Sequence, residues 1–356
     1  MPSYVPILKG KEGEFAALEA LTEEIGAQIT PLIEIPAIPF NFSTGKKAKT
    51  LDEHLRTLPD RLQRCWGDRP FYIETPYFGE DEQVEDDRCA LEVLLHNFAT
   101  SHLSPIPVLS TSSSLECRTA VRAFLATGAS ACIRLSLDDF SEDIDTADEV
   151  TRLLNDIGKE SATGLDLIVD FGALATEAPT SLLLARSVLS MIPTLRAWNT
   201  IIFAAASFPE DLSGVNSASV DTLPRREWLL WKALQRKPGL LPPNLIFSDY
   251  AISHPIPREL DPRIMRMSAN IRYTTVEHWL IMKGRNVTQY GFEQYFELCR
   301  RLIERPEYTG REFSWADEFI WKCAHHEAGP GNATTWRKVG VNHHITFVVR
   351  QLANSL

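Results

Sequence analysis

Eight short apolar runs recur along this chain, separated by amphipathic stretches of helical length, and nearly every run ends on a polar or charged residue. The runs occupy residues 4–8 before Lys9, 29–33 before Glu34, 70–73 before Glu74 and 106–109 before Ser110. They continue at 131–133 before Arg134, 165–169 before Asp170, 200–206 before Ser207, and 245–247 before Ser248 and Asp249. Regular alternation with helices implies parallel strands joined by right-handed crossovers. Eight repeats predict an α/β fold closed into a TIM-like (β/α)8 barrel, with an open doubly wound sheet as the alternative. In a barrel the C-terminal strand ends share one face, where barrel enzymes keep their chemistry.

The helical segments are predicted at 14–25, 51–66, 88–101, 115–126, 146–157, 181–196 and 225–236. Gly13 precedes the first, Ser114 is a natural N-cap, Gly128 follows 124–127, and Pro238 with Gly239 follows Arg236. Beyond Asp249 the pattern changes: Pro255, Pro257 and Pro262 precede two extended runs at 271–275 and 278–283, read as a hairpin. A helix at 292–303 follows, with Phe292, Tyr295, Phe296, Cys299 and Leu302 along one face. The tail concentrates Trp315, Trp321, Trp336 and the pairs His325-His326 and His343-His344, and closes in a helix at 344–352. This divides the chain into a barrel at 1–252 and a C-terminal elaboration at 253–356, capping the barrel near its mouth.

With 356 residues and 44% hydrophobic content, the chain can bury one large core. A net charge of −11 argues against broad duplex-DNA binding. Cys65, Cys89, Cys117, Cys132, Cys299 and Cys323 lie far apart without a CxxC pair, so neither a zinc ribbon nor a disulfide scaffold is expected. With no leader and no apolar run near the roughly 20 residues of a membrane span, the expected location is the cytoplasm. No GxGxxG follows the first strand, no P-loop or GxSxG elbow is present, and Cys89 and Cys299, on helical segments, read as core.

Glu34, Glu74, Asp170 and Asp249 fall at strand ends, so a barrel would gather them for acid/base work or for a divalent cation such as Mg or Mn. Any of them can instead pair with Lys9, Lys11 or Arg134 on the same rim. Those cations suit a phosphate or carboxylate, Arg by a bidentate contact and Lys as a point charge. His343 is the better candidate among the paired histidines, because it follows a polar, glycine-bearing stretch that includes Trp336, Arg337 and Asn342. That stretch reads as a loop offering stacking, anion contact and proton transfer, or as a plug sealing the barrel.

Three stretches carry a resemblance: Tyr4-Val-Pro-Ile-Leu-Lys-Gly-Lys-Glu-Gly-Glu14, Arg272-Tyr-Thr274, and the tail with Gly329-Pro-Gly-Asn332, Trp336-Arg337 and Asn342-His-His344. Together they resemble the phage-related Beta protein family over essentially the whole chain. The resemblance implies a phage or bacterial cytoplasmic protein with a part in phage–host conflict, and it assigns no catalytic residue. The expected function is that of a metal-assisted barrel hydrolase acting on a phosphate-containing small molecule, nucleotide or nucleic-acid end. In that reading Lys9, Lys11, Arg134, Arg337, Trp336 and Asn342 bind substrate, and Glu34, Glu74, Asp170, Asp249 and His343 catalyse. The alternative is a non-catalytic barrel, plugged by its tail, that binds a protein partner or phage component. A third reading, local nucleic-acid binding, draws on Arg300, Arg301, Arg305, Arg311, Lys322, Arg337 and Lys338.

Overall fold

The computed structural model describes residues 2–78, 88–175, 178–236, 241–257 and 267–354. Eight parallel strands close a barrel in chain order: Tyr4–Leu8, Leu32–Glu34, Phe71–Glu74, Pro105–Ser110, Cys132–Ser136, Asp166–Ala173, Thr200–Ala206 and Leu245–Asp249. The eighth returns to the first with Pro6 opposite Asp249, so closure, not an open sheet, is what these repeats build. The second strand is shorter than the apolar run suggests. Pro31 has no N–H to donate, so the ladder starts at Leu32, and Ile29 makes only an isolated bridge to Tyr4.

Side chains alternate across each strand and divide the core in two. Val5, Ile7, Leu32, Tyr72, Val108, Cys132, Ile168 and Ile202 fill the barrel interior. Their neighbours Tyr4, Leu8, Ile33, Ile73, Leu109, Ile133, Val169, Phe203 and Phe247 pack outward against the helices. At the bottom of the interior Tyr72 donates to Asp166 at 2.9 Å, and Asn199 donates to the other carboxylate oxygen at 2.9 Å.

The predicted helices form with adjusted limits. Residues 51–66 split into Leu51–Leu55 and Leu58–Cys65. Ser114 caps the helix Leu115–Leu125 by accepting from the Cys117 amide. The predicted 344–352 helix is far longer, Ala333–Ala353. It starts at an Asn332/Thr335 capping box that the glycines and β-branched residues of this stretch obscure in sequence.

The long helix changes the meaning of the tail. Val341, Ile345, Val348 and Leu352 join the core cluster that holds Tyr4, Leu8 and Phe247. It therefore lies on the barrel wall beside the first helix, Glu12–Glu19, where a barrel's eighth helix belongs, and it does not cover the mouth. Between the eighth strand and this helix the chain inserts Ser268–Thr274 and His278–Asn286, the expected hairpin, and the helices Gln294–Ile303 and Trp315–Ala324. The hairpin gains a third strand, Ser219–Pro224, from the connection after the seventh barrel strand. The division at 252/253 is thus crossed twice. Both the small sheet and the barrel wall combine residues from before and after it.

The first and last helices approach to backbone distance at Gly13. A Cβ there would sit 2.7 Å from the Thr334 carbonyl oxygen and 2.9 Å from the Arg337 Cβ. Ala is the better helix former, but a clash against backbone outweighs propensity, so Gly13→Ala is expected to cost about 1–3 kcal/mol. Urea unfolding checks this; an unchanged midpoint would mean that the two helices separate freely.

Candidate active site

Inward parity at the strand ends decides which predicted residues meet. Lys9, Glu34, Glu74, Arg134 and Asp170 each lie two positions beyond an inward residue: Ile7, Leu32, Tyr72, Cys132 and Ile168. They converge in one network at the C-terminal end of the barrel. The Arg134 guanidinium bonds Glu34 Oε1 at 2.8 Å, Glu74 Oε2, Asp170 Oδ2 at 2.6 Å and the Tyr250 hydroxyl. Tyr250 in turn donates to Asp170. The Lys9 ammonium bonds Glu34 Oε2, the Pro255 carbonyl and the Tyr77 hydroxyl, and stands 4.8 Å from the centre of the Tyr250 ring. Glu34, Glu74 and Asp170 are all buried.

Three carboxylates therefore face two cations. Burial pushes the Glu74 carboxyl up, partly offset by Arg134 and reinforced by Glu34 and Asp170, to a pKa of about 7. A buried, crowded carboxyl holds a proton that an isolated one would lose. Arg134 is held firmly charged: burial opposes its charge, but Glu74, Tyr250, Asp170 and Glu34 outweigh that.

Glu74 also lines a cavity of about 190 Å3, together with Thr75, Val108, Ser110, Ser112 to Ser114, Glu116, Cys89 and Cys117. Its serines cluster because the loop after the fourth strand turns tightly: Ser110 N donates to Ser113 Oγ at 2.9 Å, and Ser110 and Ser112 hydroxyls lie 2.9 Å apart. Cys89 is buried in the core, as its sequence context suggests, but it does not lie in a helix interior. It is the N-cap of Ala90–Thr100, its sulfur accepts from the Glu92 amide, and its thiol lines the cavity. Sequence reasoning also misses Tyr77, Tyr250 and the serine loop. Tyr250 was recoverable, since it continues the parity of Ile246 and Ser248 by which Asp249 turns outward.

Asp249 is the clearest correction. Extending Phe247's outward parity, it leaves the mouth and lies buried against the C-terminal helix, where Tyr4 donates to Oδ1 and the Ala251 amide donates at 2.9 Å. His344 Nε2 lies 3.0 Å from its other oxygen, and His344 Nδ1 is 2.8 Å from Thr274 Oγ1. Burial lowers the His344 pKa, against the pull of the Asp249 charge, so a neutral ring donating through Nε2 and accepting at Nδ1 fits both contacts.

The tail residues do not form a ligand loop. His343 is fully buried, with Nδ1 on Asp317 Oδ2 at 2.9 Å and Nε2 on the Thr274 carbonyl at 2.9 Å. The adjacent histidines thus meet at Thr274 but pair with different carboxylates, Asp317 and Asp249. Asn342 bridges the Ala316 amide and the Ala17 carbonyl. Trp336 stacks on Tyr295 with ring centroids 4.0 Å apart. Arg337 pairs with Glu14 at 3.3 Å and touches Ser253, while Arg272 holds the neighbouring Ile252 carbonyl at 2.8 Å. These residues knit the last helix to the barrel and its eighth loop. Lys11 is exposed beside Arg337 and outside the mouth network.

Of the predicted anion-binding cations, Lys9 and Arg134 are already engaged by carboxylates. The divalent cation weighed from sequence also fits poorly. Among the described residues no group of three or more His, Cys, Asp or Glu side chains converges to hold a metal, and the mouth carboxylates direct their oxygens to Lys9 and Arg134. Of the basic residues weighed for nucleic-acid binding, Arg300 is paired with Glu297, Arg305 with Glu307, and Arg311 and Lys322 with Glu318.

A family model described as Beta protein matches residues 4–350, from the first barrel strand to the last turns of the closing helix. The chain belongs to the Beta protein family. The match includes every residue of the mouth network and both histidine pairs, so barrel, insertion and closing helix all fall within the matched region. No curated protein shows significant similarity to the chain. No helix among the described residues is long and apolar enough to cross a membrane.

Proposed function

We propose that this Beta protein family member is a hydrolase of phosphate esters, with Glu74 as its general acid and base. The observation that carries the reading is the position of Glu74. One carboxyl, with a pKa near 7, belongs to a charge-excess network and also reaches a serine-lined cavity. A group poised near the working pH transfers protons with the least penalty in either direction. The hydroxyls of the serines that line the cavity suit phosphate oxygens better than the committed Lys9 and Arg134 do. As water adds to phosphorus and the ester P–O bond breaks, the protonated Glu74 gives its proton to the leaving oxygen and the proton of the attacking water restores it. Arg134 and Lys9 act as positioning residues: Lys9 holds Glu34, and Arg134 holds Glu34, Glu74 and Asp170. The ligand is a small phosphate ester, a nucleotide or a nucleic-acid end, and the setting is cytoplasmic and tied to phage–host conflict.

The test is turnover of phosphomonoesters, phosphodiesters and nucleotides, with and without Mg2+ or Mn2+, alongside thermal shift for each. Glu74→Gln should lower kcat by roughly 10²–10⁴-fold while the protein stays folded. Equal rates for the variant and the native protein would remove Glu74 from the chemistry.

Glu74 also has a signature in stability. Its folded pKa lies above the unfolded value, so the folded state holds the extra proton and this contribution falls away as pH rises from about 5 to about 7. Gln does not titrate. The melting temperature of Glu74→Gln relative to the native protein should therefore rise between pH 5 and pH 8; a flat difference would place the Glu74 pKa in the ordinary carboxylate range.

A second reading has its own support. The charged groups of the mouth network each have an opposite-charge partner, as a sealed, non-catalytic barrel that works through a protein partner would require. Absence of turnover and of any thermal shift across the ligand panel, in folded protein, favours it.

A further inference from the structure

We propose that Cys89 and Cys117 form a peroxide-responsive thiol pair, a modification site on the wall of the cavity that Glu74 lines. The two residues belong to neighbouring helices, those after the third and fourth barrel strands, and both line that cavity. Cys89 caps Ala90–Thr100, and Cys117 is the third residue of Leu115–Leu125. Their side chains are hydrogen-bonded to each other, so two thiols remote in sequence meet at the starts of two helices. Cys89 is buried and Cys117 half-buried, and the cavity gives a small reagent a route to both.

The pair is asymmetric. The Cys89 sulfur accepts from the Glu92 amide at 3.4 Å. The hydrogen bond from Cys117, joined by the helix amides, outweighs burial and holds the Cys89 thiol below its ordinary pKa. Cys117 gives that hydrogen bond and is partly buried, so its own thiol is pushed up. Thiolate is the nucleophilic form, which assigns the first attack to Cys89 and leaves Cys117 to resolve. Cys89 Sγ attacks one oxygen of hydrogen peroxide; the O–O bond breaks, the peroxide is reduced, and the departing hydroxide takes up the thiol proton and leaves as water. Cys89 is then a sulfenic acid. Cys117 Sγ attacks that sulfur, the S–O bond breaks, and the hydroxide that leaves takes the Cys117 proton as a second water. Two thiols and one peroxide thus give one disulfide and two waters.

A second pair supplies the contrast. Cys299 and Cys323 are also hydrogen-bonded to each other, but both are fully buried in the core cluster of the small sheet. Proximity alone would make the two pairs equal; access to a reagent favours Cys89 and Cys117. Their bond would tie the turn that follows Ser112 to Ser114 to the cap of Ala90–Thr100, pinning the serine loop in the cavity shared with Glu74. In making this a switch on turnover the proposal rests on the phosphate-ester reading, whereas formation of the disulfide does not.

The experiment treats folded, full-length protein with hydrogen peroxide, blocks the remaining thiols with iodoacetamide after denaturation, and maps the peptides without reductant. The six thiols of the chain should fall by two, with Cys89 and Cys117 in one linked peptide pair and Cys299 and Cys323 alkylated, and dithiothreitol should return all six. Cys117→Ser should stop at a Cys89 sulfenic acid that dimedone traps. Cys89→Ser, which keeps a good N-cap, should give neither the disulfide nor a dimedone adduct at Cys117. An unchanged thiol count in the native protein, a Cys299–Cys323 link formed first, or dimedone labelling of Cys117 in Cys89→Ser would each overturn the proposal. Turnover of phosphate esters by reduced, oxidised and re-reduced protein separates the two readings. A loss on oxidation that dithiothreitol reverses supports the switch, and equal rates in all three states overturn it. If the disulfide forms in a protein that turns over no ester in any state, the thiol pair stands and the hydrolase falls.

Discussion

Replacing Arg134 with Met is expected to destabilise the protein by about 3–5 kcal/mol at pH 7, because one guanidinium neutralises three buried carboxylates. Glu34 would keep Lys9, and Asp170 would keep the Tyr250 hydroxyl and the Gly172 amide, but Glu74 would be left without its cation. The unpaired carboxyls would gain protons to survive burial, placing their folded pKa values above their unfolded ones. Stability would then be lost as pH rises through the neutral range and recovered toward pH 5. Urea denaturation of Arg134→Met at pH 5 and 8 measures both effects, and adding Glu74→Gln to it should restore part of the loss, since the two residues are directly coupled. A cost below about 1 kcal/mol at pH 8 would mean that the mouth is hydrated enough to solvate its own charge.

Asp317→Ala should be of similar size, about 3–5 kcal/mol, although it lies far from the mouth network in sequence. Asp317 is fully buried and accepts from Tyr273 at 2.6 Å, Thr309 at 3.1 Å, Ser314 at 2.5 Å and His343 at 2.9 Å. Burial raises its pKa, but the His343 charge and these hydrogen bonds outweigh that and hold it below the usual carboxylate range. Both nitrogens of His343 face acceptors, Asp317 and the Thr274 carbonyl, so the geometry calls for a doubly protonated ring, stacked 3.8 Å from Tyr273. Alanine would leave a buried cation and a tyrosine without their acceptor. Asp317→Asn should cost much less, because its amide can donate to a neutral Nδ1 while its oxygen still accepts from Tyr273. Equal losses for Ala and Asn, read from urea midpoints, would refute this account of the network. In the native protein a depressed carboxyl pKa gives stability that is present above pH ~4 and lost as pH falls through the folded value.

The barrel was legible because its signal is local and repeated. Apolar runs, helical periodicity and turn residues depend on neighbours a few positions away, and eight repetitions leave little choice of closure. Five of the charged strand-end residues, Lys9, Glu34, Glu74, Arg134 and Asp170, were likewise readable as one site, since a parallel barrel carries its strand ends to one rim. Asp249 failed on a shift of one residue. Glu34, Glu74 and Asp170 directly follow their apolar runs, whereas Asp249 lies two positions past Phe247, and a period of two turns that one-residue difference into a change of face. His343, Asn342 and Arg337 failed for a different reason. Their functional look came from polarity, but a fully satisfied buried polar residue and a ligand-binding one have the same composition and differ only in what lies opposite them.

What the sequence by itself determined was therefore the order of strands and helices, the barrel that follows from it, and the mixed charge on its rim. Only the tertiary structure decided that Arg134 and Lys9 answer the carboxylates instead of a ligand, that Glu74 also opens on a cavity, and that the last helix returns to complete the wall. Period and propensity act over a few residues, whereas burial, pairing and pKa are set by groups such as Glu34 and Arg134 that are a hundred positions apart in the chain.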